Sequence, residues 1–162
     1  MANQDAPKGF APYGKVKQVL VLEAGSTIAP GEFIRMASDG QVDAVAAGET
    51  ILGLALGYAA AAGDKVLCSV DPEQLYVGQC DGSAIDAQTD IGNNVDVLAT
   101  ADNTTYKESR MEMNTSTVAA AAAQLTILGI DPRPDNAFGE FVDVIVRINE
   151  HQIMGVDAFG GV

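Results

Sequence analysis

The chain has no tryptophan, a single histidine, and aromatic residues at only 6% of its 162 positions. A glycan-binding surface stacks sugars on exposed rings, and little is present from which to build one. A serine triad needs a nucleophile, a base and an orienting acid. The lone His151 stands by a strand end near the carboxyl terminus, where it reads as a surface residue, and no Gly-x-Ser-x-Gly elbow occurs. Zinc sites require clustered Cys and His, which His151 with the separated Cys68 and Cys80 does not supply. The stretch from Asp86 through Asp90 to Gly92 departs from a calcium loop, because its glycine falls one place late and no closing Glu follows. The phosphate-cradling Gly-x-x-x-x-Gly-Lys pattern is missing. Among 22 acidic residues no spacing selects a catalytic pair. The expectation is a chain with no catalytic residue, no cofactor and no metal.

Basic residues are also scarce, 9 against 22 acidic, for a formal net charge of −13. A nucleic-acid partner is therefore not expected, since binding requires a Lys/Arg patch that displaces condensed counterions. The longest uncharged apolar run, residues 51–63, is broken by Gly53 and Gly57 and falls short of the roughly 20 residues a membrane helix needs. No membrane partner is expected. Asn3, Gln4 and Asp5 stand where a signal peptide would be basic, so synthesis in the cytoplasm is expected, with Cys68 and Cys80 as buried free thiols.

What the chain does have is short apolar segments separated by turn dipeptides. Residues 33–36, 42–45, 51–58, 65–70 and 74–77 alternate with Asp39-Gly40, Gly48-Glu49, Gly63-Asp64 and Asp71-Pro72. Short strands between such turns predict an antiparallel meander, and hence an all-β fold, a small barrel or sandwich of jelly-roll-like kind. Further strands are expected over 16–22, 95–98, 110–114, 125–130 and 140–149, the last a β-branched run that should be central. Residues 51–58 should be buried on both faces or closely approached by another backbone. The alanine-rich residues 116–124, with Thr115 or Ser116 as cap, predict one short helix.

Three segments follow: an extended amino-terminal arm over 1–15, one β domain over 16–150, and a tail over 151–162. The arm has no period. It carries Phe10 and Tyr13 beside Pro7 and Pro12, apolar area for which a solvated tail has no use. The rings are expected to dock, either back on their own domain or on a neighbouring subunit or partner, the latter being the expectation adopted for these four residues. The core, built from aliphatic side chains without large anchors, makes extra burial by a partner plausible.

The opening Met-Ala-Asn-Gln-Asp-Ala-Pro-Lys-Gly-Phe-Ala-Pro resembles the start of small virion structural proteins of tailed bacteriophages. Three blocks look like the carboxyl half of the same group: residues 124–130 (Gln-Leu-Thr-Ile-Leu-Gly-Ile), Arg133-Pro134-Asp135-Asn136, and residues 146–151 (Val-Arg-Ile-Asn-Glu-His). Gly53-Leu54-Ala55 and residues 62–66 (Ala-Gly-Asp-Lys-Val) are similar to turns in capsid cement proteins. The resemblance implies a non-enzymatic decoration protein on the capsid exterior. Its partners would be the major capsid protein and copies of itself, associated as a homotrimer. A head-fibre base or tail component is the alternative within the virion, and a carbohydrate-binding module lies further off.

Overall fold

The computed structural model describes residues 3–82, 85, 88–119 and 121–154, and among these the fold is all-β. Eleven strands form: β1 Ala11–Tyr13, β2 Val19–Glu23, β3 Phe33–Met36, β4 Val42–Ala44, β5 Gly53–Ala55, β6 Lys65–Ser69, β7 Leu75–Gln79, β8 Asn94–Leu98, β9 Glu112–Ala119, β10 Leu125–Ile130 and β11 Asp143–Ile148. They make two antiparallel sheets, one of six strands ordered β1-β7-β11-β10-β8-β9 and one of five ordered β2-β6-β5-β3-β4. The only helical turn among the described residues is the 3-10 turn Gln88–Asp90. The helix expected over 116–124 is corrected: β9 runs through Ala119 and pairs with β8. Met113 and Thr115 of β9 are buried, and packing of this alternating face overrides the helix propensity of the alanines that follow.

The two sheets repeat one plan. In chain order, β2 to β6 assemble as first, fifth, fourth, second, third, and β7 to β11 assemble in that same order. The registers coincide as well. Leu22 faces Val66 as Gly78 faces Val144, Met36 faces Val42 as Val97 faces Met113, and Phe33 faces Leu54 as Asn94 faces Thr126. Each half curls round until its first strand meets its third through a parallel bridge, Ala24 with Val42 and Cys80 with Met113. Connections repeat in detail: Gly31 N–H donates to Ala55 C=O at 2.9 Å, and Gly92 N–H donates to Ile127 C=O at 2.8 Å. Both glycines have positive φ, 92° and 94°. Gly63, at φ 89°, occupies the place taken in the second half by Phe141, at φ 56°, which accounts for a bulky residue in a left-handed conformation. The repeat follows from a common set of turns.

Each half encloses its own apolar interior. Ala24, Ile28, Ile34, Val42, Ala55, Val66 and Cys68 fill the first, and their counterparts Cys80, Ile85, Val95, Met113, Ile127, Val144 and Val146 fill the second. The second cluster extends across to Phe33, Leu54, Val45 and Ile51 of the first half, joining the halves in one core. Phe33 and Leu54 therefore face one cluster while Ile34 and Ala55 face the other, so β3 and β5 are buried on both sides, as the apolar 51–58 stretch predicts. At Gly53 an added Cβ would lie 1.9 Å from the Ser69 carbonyl oxygen, which is why glycine stands in a buried strand. Gln124, fully buried, ties the halves together. Its Oε1 accepts from Val97 N–H, and its Nε2 donates to the Ala46 and Glu49 carbonyls.

Candidate interaction surface

The amino-terminal residues lie on the chain's own body. Asn3 Nδ2 donates to the carbonyls of Ala137 and Glu140, both at 2.8 Å, and Gln79 exchanges side-chain hydrogen bonds with the main chain of Gln4 and Ala6. The segment then crosses between the halves, where Phe10 N–H donates to Gly31 C=O. Phe10 is 3% exposed, its ring 4.5 Å from Phe33, which in turn meets Tyr76 edge-on at 5.2 Å. These three rings are the aromatic centre of an otherwise aliphatic core, and tilted or edge-on contacts suit their quadrupoles. Space for the ring is made by Gly78, where a Cβ would lie 2.3 Å from Phe10 Cδ1. The expectation that Phe10 docks on a neighbour is thus corrected. Its own core takes the ring because β7 carries glycine beneath it.

Beyond Phe10 the chain becomes β1 and pairs with β7, Ala11 opposite Val77 and Tyr13 opposite Leu75. Pro12 is half-buried and Tyr13 stays at the surface, while Pro7 is half-buried upstream. The arm and the second half leave a groove of about 370 Å³ between Lys8, Gln79, Phe141 and the loop after β10. Its walls are polar. Arg133 is held there by Asp131, with Nε 2.7 Å from Oδ2, and by Asp143.

Among the described residues the first half has no such cover. β2 is the edge of its sheet and shows Val19 at 42%, Leu20 at 50% and Val21 at 63% exposure, beside Leu67 of β6 at 44%. Three consecutive exposed apolar residues on a sheet edge form an apolar patch on a strongly acidic chain. At the margin, Glu23 is bound by Lys65 at 2.6 Å and by Gln41, which hold its carboxyl below the usual range. Lys17 is exposed at the other end of the strand.

Two buried polar groups lie away from this edge. Glu32, 5% exposed, accepts the Ala29 N–H at 2.8 Å. Burial raises its pKa to about 8 against that hydrogen bond, with Asp102 raising it further. Burial also raises the Asp102 pKa, while its hydrogen bond with Glu32 lowers it. Among the described residues Asp102 Oδ1 is buried without an N–H or hydroxyl donor, and the raised pKa of Glu32 favours a shared proton between the two carboxyls. The long β8–β9 connection brings Asp102 here, fastened where Ser109 N–H donates to Pro30 C=O and Phe33 N–H to the Met111 sulfur.

His151 is 2% exposed, which corrects its reading as a surface residue: residues 150–152 form a parallel bridge with Ile51 and draw the ring inward. Its Nδ1 accepts from Ile153 N–H. Nε2 makes no hydrogen bond of good geometry, although the Val70 and Leu52 backbone is close enough to oppose the lowering of its pKa by burial.

Cys68 and Cys80 are buried free thiols in the interiors of different halves. No three His, Cys, Asp or Glu side chains converge into a metal site among the described residues. No helix of the described residues is long and apolar enough to cross a membrane. The tail from residue 155 onward lies outside the described residues.

Sequence reasoning singled out the apolar groups of the arm and passed over β2, whose Val-Leu-Val-Leu run reads as any half-buried strand. The available signal was its lack of alternation, since a strand with one solvent face should place a polar residue at every second position. In comparisons with known proteins, no family model and no curated protein matches this chain.

Proposed function

We propose that the chain is a non-enzymatic decoration, or cement, protein of a tailed-bacteriophage head, binding the outer surface of the icosahedral shell and bridging neighbouring capsomers. The resemblance of its termini to that group supports the reading, and the observation that carries it is the bare apolar edge at Val19, Leu20 and Val21 on an acidic chain. Such an edge is suited to receive a strand or an apolar surface from a partner. The partners in this reading are the major capsid protein and further copies of the chain, grouped as trimers at threefold positions, with no cofactor. The mechanism is linkage: a protein that binds the assembled shell but not its free subunits shifts the equilibrium toward assembly, without catalysing a reaction.

A reconstruction of particles carrying the chain tests the location, and adding purified chain to stripped, expanded shells tests the effect. Density over the head exterior and a raised disruption temperature are expected. Density confined to the tail or to a fibre base would transfer the chain to another virion part.

A further inference from the structure

We infer that β2 is a strand-acceptor edge whose occupant is β2 of a second copy, paired antiparallel about Leu20. The two halves carry the argument. β2 corresponds residue by residue to β7, because Val19 faces Ser69 in one register as Leu75 faces Arg147 in the other. The free side of β7 is covered by β1, with Val77, Tyr76 and Leu75 opposite Ala11, Pro12 and Tyr13. The matching positions on β2 are Val21, Leu20 and Val19, and no described residue covers them.

Main-chain direction fits the same pairing. Val70 N–H donates to Gln18 C=O, so in the β2–β6 ladder the groups of Gln18, Leu20 and Leu22 turn toward β6. Those of Val19, Val21 and Glu23 turn to the open edge. Centring a twofold on Leu20 sets Val19 against Val21 of the second copy, so residues with outward main-chain groups meet each other. Lys17 then meets Glu23 of the second copy, and the same contact repeats across the axis. Shifting the register by two residues keeps the hydrogen bonds. Centred on Val21 it sets Lys17 against Gly25 and loses the charge match, and centred on Val19 it sets Lys15 against Glu23 but takes the contact further from the strand. β1 closes its own sheet, since Pro12 has no N–H to offer on the outward side, whereas β2 contains no proline. The contact is isologous and closes a pair. In a threefold unit it would fall between units. Only a few side chains are covered, so the pairing is weak and depends on concentration.

The inference concerns the purified chain and stands apart from shell binding. Both use the β2 edge, but dimerisation is read on the purified chain and shell binding on particles, so the two failures are separate results. The test is sedimentation velocity over a concentration series with the full chain, its Val21→Lys and Lys17→Glu variants, and the exchange Lys17→Glu with Glu23→Lys. Val21 is at the surface, so a folded variant is expected, and circular dichroism checks it. The wild type should show a dimer share rising with concentration. Val21→Lys and Lys17→Glu should weaken the dimer by about tenfold or more, and the exchange should recover part of the loss.

Leu20→Cys in a Cys68→Ala background reads the register. Leu20 would face its own copy at a non-hydrogen-bonded position with Cα atoms about 4.5 Å apart, so mild oxidation should join two chains. A wild type that is monomeric at every concentration overturns the inference. So does association indifferent to Val21→Lys, or a new thiol that does not cross-link.

Discussion

The first half, β2 to β6, and the second, β7 to β11, share strand order, register and turn glycines, yet differ in what covers them. The second half receives β1 along β7 and the Phe10 ring beneath it, and its interior uses Ile127 and Val146 where the first has Ala55 and Cys68. The first half has smaller side chains at these two places, and no described residue covers its edge. A shared topology can thus be set by turns and ladder geometry while edge cover and core volume vary independently. One half is finished by the chain itself, and the other presents a surface that nothing in the described residues covers.

Removing the cover from the second half should have the largest effect. Phe10→Ala takes a buried ring from the centre of the joined core and should cost about 3–5 kcal/mol in denaturant unfolding. A loss below about 1 kcal/mol would mean that the arm lies on the surface. Gly78→Ala comes next. The corresponding residue in the first half is the half-buried Leu22, but at Gly78 a Cβ would meet Phe10 at 2.3 Å. Overpacking there should cost about 1–3 kcal/mol, and combining it with Phe10→Ala should be less than additive, measurable as a double-mutant cycle.

The smallest effect separates the halves by charge. Glu32 precedes β3 as Asn93 precedes β8, and each carbonyl accepts from β5 or β10, Ala55 N–H in one case and Ile127 N–H in the other. The folded pKa of Glu32, about 8, lies above its ordinary 4.5, so the folded state holds more protons between those values. Stability from this group is therefore full below pH 4.5, falls as pH rises, and is lost above pH 8. Glu32→Gln keeps an acceptor for Ala29 and gives Asp102 a permanent donor. It should flatten that part of the pH profile, gaining about 1 kcal/mol over wild type at the alkaline end. Parallel profiles for the two proteins would remove the shared proton from the account.

Much of the fold was legible in local pattern. Residues 33–36 and 125–130 form strands at the predicted bounds, because each is a short apolar run between turn residues. The strand predicted over 140–149 begins later, at Asp143, since Phe141 takes a left-handed turn. The repeat itself was hidden. Gly25-Ser26-Thr27-Ile28 echoes Gly82-Ser83-Ala84-Ile85, and Leu56-Gly57 echoes Leu128-Gly129, but no constant period links them. The connection after β8 runs over residues 99–111 where the first half uses 37–41, and the one after β10 over 131–142 where it uses 56–64. The site was less legible than the fold. Exposure of β2 and burial of Phe10 depend on which edge the arm reaches, and burial of His151 on its bridge with Ile51, long-range outcomes that composition and spacing do not encode.

The central claim is that equivalent edges are covered in one half and open in the other, and residue-resolved amide hydrogen exchange tests it most directly. In dilute protein the Leu75 and Val77 amides, directed at β1, should be protected while the Val19 and Val21 amides exchange with little protection. Raising the concentration should slow Val19 and Val21 and leave Leu75 and Val77 unchanged. Val19 and Val21 amides as protected as Leu75 and Val77 in a dilute monomer would contradict the account.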